Sequence, residues 1–342
     1  MKSSSLKNQK GLSLIELMIA VALGIFITGG IIQLFTSSKQ TYRIQENISR
    51  LQENGRFAIS FLTRDIRMAD YWGCLATNTS IVNNLIPGSG FDEFTKAVGG
   101  TNNDGVNGSD SITVRGALSS GIYVTDVPAN VSADIKVTAN SKLNAEDIVL
   151  VSDCELGNIF QITNISTSNS GGLSRDNIVH NTGGTSSPGN ASKDLQKKYG
   201  PDAQVYKISY ITYSIQTDPN SNQPSLYRSI DGAGAQALIE GIENMQIKYG
   251  VDTDGDFTPN FYTDAPAAAA DPAGEALNVA LMEKVVSVRL FLVTTTLDDK
   301  LTINAVPYTL VGDDSTITTT TPTDGKIRRV FTSTIALRNR LP

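Results

Sequence analysis

A chain of 342 residues with 40% hydrophobic and 18% charged side chains is long enough to bury its own core and too balanced in composition for a disordered or polytopic membrane protein. Its formal charge of −6 becomes −9 once Lys2, Lys7 and Lys10 are set aside. An acidic remainder speaks against nucleic acid as a partner, because phosphate binding needs a basic face. The single histidine, His180, lies in a Gly/Asn/Ser-rich stretch, and the two cysteines show no C-x-x-C spacing; with no catalytic or zinc-binding constellation in view, no enzyme is expected.

The first element is the most informative. Residues 12–35 read LSLIELMIAVALGIFITGGIIQLF, enough to cross a bilayer as a helix, which takes about 20 residues. Three lysines precede the run with no acid among them, and Arg43 follows only later. The positive-inside rule therefore puts residues 1–11 in the cytoplasm and the bulk of the chain across the membrane. Glu16 breaks the run. A lone carboxylate at that depth costs roughly 2.5–3.5 kcal/mol on insertion scales and marks a functional position. It needs a cation nearby, and the span holds no Lys or Arg. A chain N-terminus freed by cleavage just ahead of the run supplies one. An ordinary secretory signal cut after Ala20-Val21-Ala22 fits less well, since the apolar run continues past that site. A plain anchor leaves Glu16 unexplained.

Lys10-Gly11-Leu12-Ser13-Leu14-Ile15-Glu16-Leu17 resembles the class III signal of type IV prepilins and pseudopilins. The resemblance implies that residues 1–11 are a leader, removed by a prepilin peptidase between Gly11 and Leu12. It implies that Leu12 is then N-methylated, and that Glu16 neutralises the amine of a neighbouring subunit during assembly. Leu12 stands where that family usually has Phe.

The helical pattern continues beyond the apolar run. Ile44, Ile48, Leu51, Ala58, Ile59, Leu62 and Ile66 recur at steps of three and four, and no proline occurs before Pro87. One helix over 12–68 is expected, on the order of 85 Å long at 1.5 Å per residue. Its transmembrane half is 12–35 and its amphipathic stalk half extends over 36–70. Ala20, Gly24 and Thr28 form a small-residue face that lets helices approach closely. Gly29-Gly30 is a weak point, since each Gly costs about 1 kcal/mol against Ala.

Residues 71–342 read as a β-rich head. The expected strands are Ser111–Arg115, Asp147–Ser152, Asn158–Ile165, Gln204–Ile215, Ser225–Ser229, Met245–Tyr249, Lys284–Thr295 and Arg328–Leu337. In the seventh, Val286, Val288, Leu290 and Leu292 share one face. Loops are expected at 166–192, 263–274 and 312–325, with His180 on the surface of the first. The fold class is α+β: a long N-terminal helix packed on an antiparallel sheet. The insertion between Tyr71 and Gly200 is large enough for a subdomain. Cys74 and Cys154 form either one disulfide, closing a loop of about 80 residues worth roughly 4.5 kcal/mol, or two buried thiols. Asp252, Asp254 and Asp256 alternate around Gly255 and suit either calcium or a plain acidic turn. The segment departs from an EF-hand loop, with Phe257 where Gly is required and Thr263 where Glu should stand.

Four blocks of the chain add a narrower resemblance. GRFAISFLTRDIRMADYWGC (Gly55–Cys74), VSDCELGNIFQIT (Val151–Thr163), KYGVDTDGD (Lys248–Asp256) and RVFTSTIALRN (Arg329–Asn339) look like the PilW family of minor pilins, itself similar to the J-type minor pseudopilin of type II secretion. The resemblance implies a paired Cys74 and Cys154. It also implies a precursor in the inner membrane that moves to a cell-surface pilus, with roles in pilus assembly, adhesion and twitching motility. The implied partners are other minor pilins, the major pilin, the prepilin peptidase, the inner-membrane assembly machinery and a tip adhesin. The alternative is the pseudopilus.

Overall fold

The computed structural model describes residues 13–75, 80–87, 94, 96–117, 121–170, 172–184, 186–265, 280–302, 304–311 and 317–340. Helix α1 (Leu14–Met68) opens at Ser13, whose Oγ accepts the Glu16 N–H at 3.3 Å. Ser13 is thus an N-cap, and Glu16 places negative charge in the first turn, where the helix dipole favours it. The helix passes without a break through Gly29-Gly30. It ends where Ala69 turns extended and Asp70 takes a φ of 62°.

The two halves of α1 differ in burial. Every side chain from Ser13 to Lys39 is exposed. Farther along, Asn47, Leu51, Gly55, Ala58, Leu62 and Ile66 form a buried stripe. Ile44, Ile48 and Ile59, expected in that stripe, lie half-buried at its margins. Gly55 takes a central place because the Phe331 ring lies against the helix there: a Cβ on Gly55 would fall 2.3 Å from a ring carbon. That contact requires Gly for its space alone.

Among the described residues the head has eighteen strands. In chain order these are β1 (Ile81–Asn83), β2 (Val98–Thr101), β3 (Ser111–Ala117), β4 (Ile122–Tyr123), β5 (Ile135–Thr138), β6 (Ile148–Ser152), β7 (Gly157–Gln161), β8 (Asn164–Ser170) and β9 (Leu173–Val179). They continue as β10 (Gln204–Thr217), β11 (Pro224–Ile230), β12 (Gln236–Glu240), β13 (Ile242–Val251), β14 (Phe261–Thr263), β15 (Val285–Thr295), β16 (Tyr308–Val311), β17 (Ile317–Thr320) and β18 (Arg328–Ala336). A four-stranded antiparallel sheet runs β14-β13-β15-β18. A larger sheet runs β1-β7-β6-β10-β11-β12, with β3 and β4 also on β10 and β2 on β3; only β1–β7 is parallel. Two smaller sheets are β5-β9-β8 and the ribbon β16-β17.

Strand β10 is the hinge of the layout. Its first residues pair with β4 and β6, and its later ones with β3 and β11. Around its later part Ala58, Leu62 and Ile66 of α1 meet Ile211 and Tyr213, together with Met245, Ile247, Leu290 and Leu292 of β13 and β15. Around its first part a separate core gathers Ile135, Val137, Phe160, Ile178, Tyr199 and Val205. The insertion therefore has its own buried centre.

Several strand expectations need correction. The segment 166–192 is not a loop: it holds the end of β8 and all of β9, paired from Asn164↔Val179 to Ser170↔Leu173. The apolar alternation is hidden because a polar residue, Asp176, fills an inward position, accepting from Ser141 N and Oγ at 2.9 and 2.7 Å and from Thr167 Oγ1 at 3.0 Å. The segment 312–325 contains β17, and 263–274 begins at the last residue of β14. The run Asn158–Ile165 is split between β7 and β8 at residues 162 and 163. In β15 a register shift opposite Gly250 and Val251 sets Val285 with Val288, Leu290 and Leu292 in the main core, while Val286, also buried, lies outside that cluster.

Candidate assembly surface

The charge-bearing start of α1 is the first expected site. Gly11 and Leu12, the expected cleavage and methylation positions, lie outside the described residues. Glu16 stands in the first turn, one turn from Ser13. From Leu14 to Phe35 it is the only charged side chain, amid exposed residues such as Leu14, Leu17, Ile25, Phe26 and Leu34. Among the described residues this is the one helix long and apolar enough to cross a membrane, and none of its apolar window is buried. A core helix of a soluble protein would be covered; this segment awaits lipid or other helices.

The stalk half is fastened to the head by polar contacts far apart in sequence. Arg43 pairs with Asp298 at 3.1 Å, and Asn47 Nδ2 donates to the same carboxylate at 3.2 Å. Higher up, the Tyr213 hydroxyl donates to Asp65 Oδ2 at 2.7 Å, with Arg228 at 3.4 Å. Burial, and then the Asp65 carboxylate, push the Tyr213 phenol above its ordinary range. At the helix end Asp70 accepts from Trp72 Nε1 at 2.6 Å and Arg340 Nε at 2.7 Å. These fasteners have no sequence signal, since each partner pair closes a loop of more than a hundred residues or, for Trp72, depends on the turn at Asp70.

Cys74 and Cys154 form a disulfide across 80 residues of sequence. It ties the segment that leaves α1 to the β6–β7 turn, where Asp153 also pairs with Lys197. His180, expected at the surface, is buried at 2% exposure. Its ring lies 4.9 Å from that of Phe160, and Nε2 stands 3.1 Å from the Ala133 carbonyl oxygen. Burial lowers its pKa, with the Ala133 carbonyl opposing. The polar residues of this stretch lie in the exposed parts of the β8–β9 hairpin, which ends just before His180.

Asp252, Asp254 and Asp256 come together, each able to offer an oxygen within 4.8 Å of the others. The Asp252 carboxylate accepts the N–H groups of Asp254, Gly255 and Phe257 at 3.2, 2.7 and 2.8 Å. Asp254 accepts Asn260 Nδ2 at 3.1 Å, and Asp256 accepts the Thr258 N–H at 2.7 Å. Phe257 adopts a φ of 65°, the left-handed backbone that Gly takes at the matching point of an EF-hand loop.

A long helix, bare over its first half and packed on an antiparallel head over its second, is the architecture of a type IV pilin. Residues 6–32 match the family model of the prokaryotic N-terminal methylation motif. Residues 212–339, from within β10 to just past β18, match that of type IV pilus-assembly protein W. Together the two matches support a PilW-family type IV pilin. No curated protein and no solved structure matches it at a significant level. The insertion core around His180 lies outside both matched segments.

Proposed function

We propose that this pilin is a minor pilin that takes part in initiating a type IV pilus together with other minor pilins and the major pilin. Its precursor sits in the inner membrane with residues 1–11 in the cytoplasm and the head in the periplasm. Prepilin peptidase cuts between Gly11 and Leu12, and Leu12 is methylated. The observation that carries this reading is the bare apolar half of α1 with Glu16 as its only charge. Lipid covers that half in the precursor and neighbouring helices cover it in the filament, where Glu16 faces the Leu12 amine of an adjacent subunit. Removing one partner of such a buried pair typically costs about 3–5 kcal/mol. The pairing therefore sets the axial position of an incoming subunit.

The head contributes contacts rather than chemistry, since pilin domains are structural. Tip-adhesin display, adhesion and twitching motility follow as consequences of a pilus that forms. Calcium at Asp252, Asp254 and Asp256 is a further proposal, supported by the convergence of three carboxylates on a Gly-like turn. The deciding experiment deletes the gene and counts surface pili and type II secretion together. Lost pili with normal secretion supports the minor pilin; lost secretion with normal pili assigns the chain to a pseudopilus.

A further inference from the structure

Beside its buried stripe, the last part of α1 turns a flank toward β18. An open groove of about 930 Å³ lies there, lined by Arg56, Ile59 and Arg67 on the helix and by Phe331, Thr332 and Ser333 on the strand. Strand β18 is the outermost of its sheet. The Thr296 N–H donates to the Ile327 carbonyl at 3.0 Å, which fixes the phase of pairing along the register Thr295↔Arg328 to Ser287↔Ala336. Backbone groups of Arg329, Phe331, Ser333 and Ile335 thus face β15, and those of Val330, Thr332 and Thr334 face outward. Among the described residues the ribbon β16-β17 approaches β18 but pairs with it in no sheet. The outward groups of an edge strand are a template for another strand.

Charge selects what that strand is. Arg56, Arg64, Arg67 and Arg338 line the groove, all exposed, and among the described residues none of the four has an ion-pair partner. The one carboxylate in the lining, Asp65, is engaged by Tyr213 and Arg228. This is a local reversal of sign on a chain that carries −9 beyond its first lysines.

We propose that this groove docks an acidic, extended segment of another filament subunit, which adds to β18 as a fifth strand. Backbone bonds to Val330, Thr332 and Thr334 supply the pairing. Alternate apolar side chains of the added strand pack on Phe331 and Ile59, and its carboxylates meet the guanidiniums, which suit them geometrically. Nucleic acid fits less well, because the acidic remainder repels a polyanion and the groove floor is a strand edge. The assignment rests on the filament reading only for the owner of the added strand, and the binding test below does not depend on assembly.

The test uses the full-length chain in detergent micelles with two fluorescent heptapeptides, one alternating Val and Glu and one alternating Val and Lys. The acidic peptide should bind, weaken with salt and slow amide exchange at Thr332 and Thr334; the basic peptide should not. Thr332→Pro removes an outward N–H and should weaken binding by at least about tenfold. Arg56→Glu with Arg67→Glu should do the same without touching the core, which keeps the test valid if the proline variant fails to fold. Equal binding of both peptides, binding without protection of β18, or preferential binding of a duplex DNA fragment would each overturn the assignment.

Discussion

The two halves of α1 are one continuous helix with opposite surroundings. Between Ser13 and Lys39 no side chain is buried, whereas between Asn47 and Ile66 a stripe of six is. Local preference makes both halves helical; neighbours decide what each half is for. The lower half carries aliphatic side chains on every face and so demands an apolar solvent or a bundle of like helices. The upper half has a buried apolar stripe and charged fasteners at Arg43 and Asp65, so that stripe is satisfied by its own head. The division predicts that the two halves fail differently when changed.

The largest effect belongs to the lower half. On the proposed pairing, Glu16→Lys would put a second cation beside the Leu12 amine of a neighbour and should cut incorporation into sheared pili by more than about tenfold, given the roughly 3–5 kcal/mol of an uncompensated buried charge. Membrane insertion and head folding should survive. Glu16→Ala should be milder. Normal incorporation of the lysine variant would break the comparison.

Next come changes confined to the head. Replacing Cys74 and Cys154 by Ser opens an 80-residue loop and should lower head stability by roughly 4.5 kcal/mol in the chain-entropy account. Urea unfolding with and without reductant reads this, and identical midpoints would refute it. Leu62→Ala empties a fully buried site and should cost about 2–5 kcal/mol, leaving insertion of residues 14–35 untouched.

A smaller effect separates the two cores of the head by pH. Asp110 accepts the N–H groups of Asn103 and Ile247 at 2.9 and 2.7 Å, and burial pushes its pKa up to about 6 against those bonds. The native state therefore holds a proton that the unfolded state releases above 3.8. Its contribution is greatest at low pH and is lost as pH rises through about 6. His180 has the opposite sign: its lowered pKa means the unfolded state takes up the proton first, so stability is lost as pH falls below the ordinary histidine value of about 6.5. On acidification from pH 7 to 5, amide exchange corrected for intrinsic rate should accelerate around Ile178 relative to Ile247. A uniform response would show that the two cores do not titrate separately.

The smallest expected effect is calcium. If Asp252, Asp254 and Asp256 bind it, melting temperature should rise with millimolar calcium, following RT ln(1 + [L]/Kd), and Asp254→Asn should remove the rise. An unchanged melting temperature in the parent chain would leave a turn closed by its own N–H groups.

Legibility in the sequence follows the range of the interactions. The helix is legible because Leu51, Ala58, Leu62 and Ile66 are local, periodic neighbours. Strands with strong apolar alternation, such as β10 and β15, were readable for the same reason. The hairpin β8–β9 was not, because Asp176 and His180 take buried places by finding partners at Ser141 and Ala133, which no local pattern encodes. Gly55 looked unremarkable until Phe331 came to lie against it. The unpaired arginines of the groove were visible as residues, but their convergence on an open strand edge depends on the order β13-β15-β18.

Mass spectrometry of sheared pili tests the central claim most directly, because it reads processing and incorporation in one sample. The account predicts a chain that begins at N-methylated Leu12, carries the intact Cys74–Cys154 bond and copurifies with the filament. A chain that begins at Leu23, or one that keeps residues 1–11 and stays wholly in the membrane fraction, would contradict it.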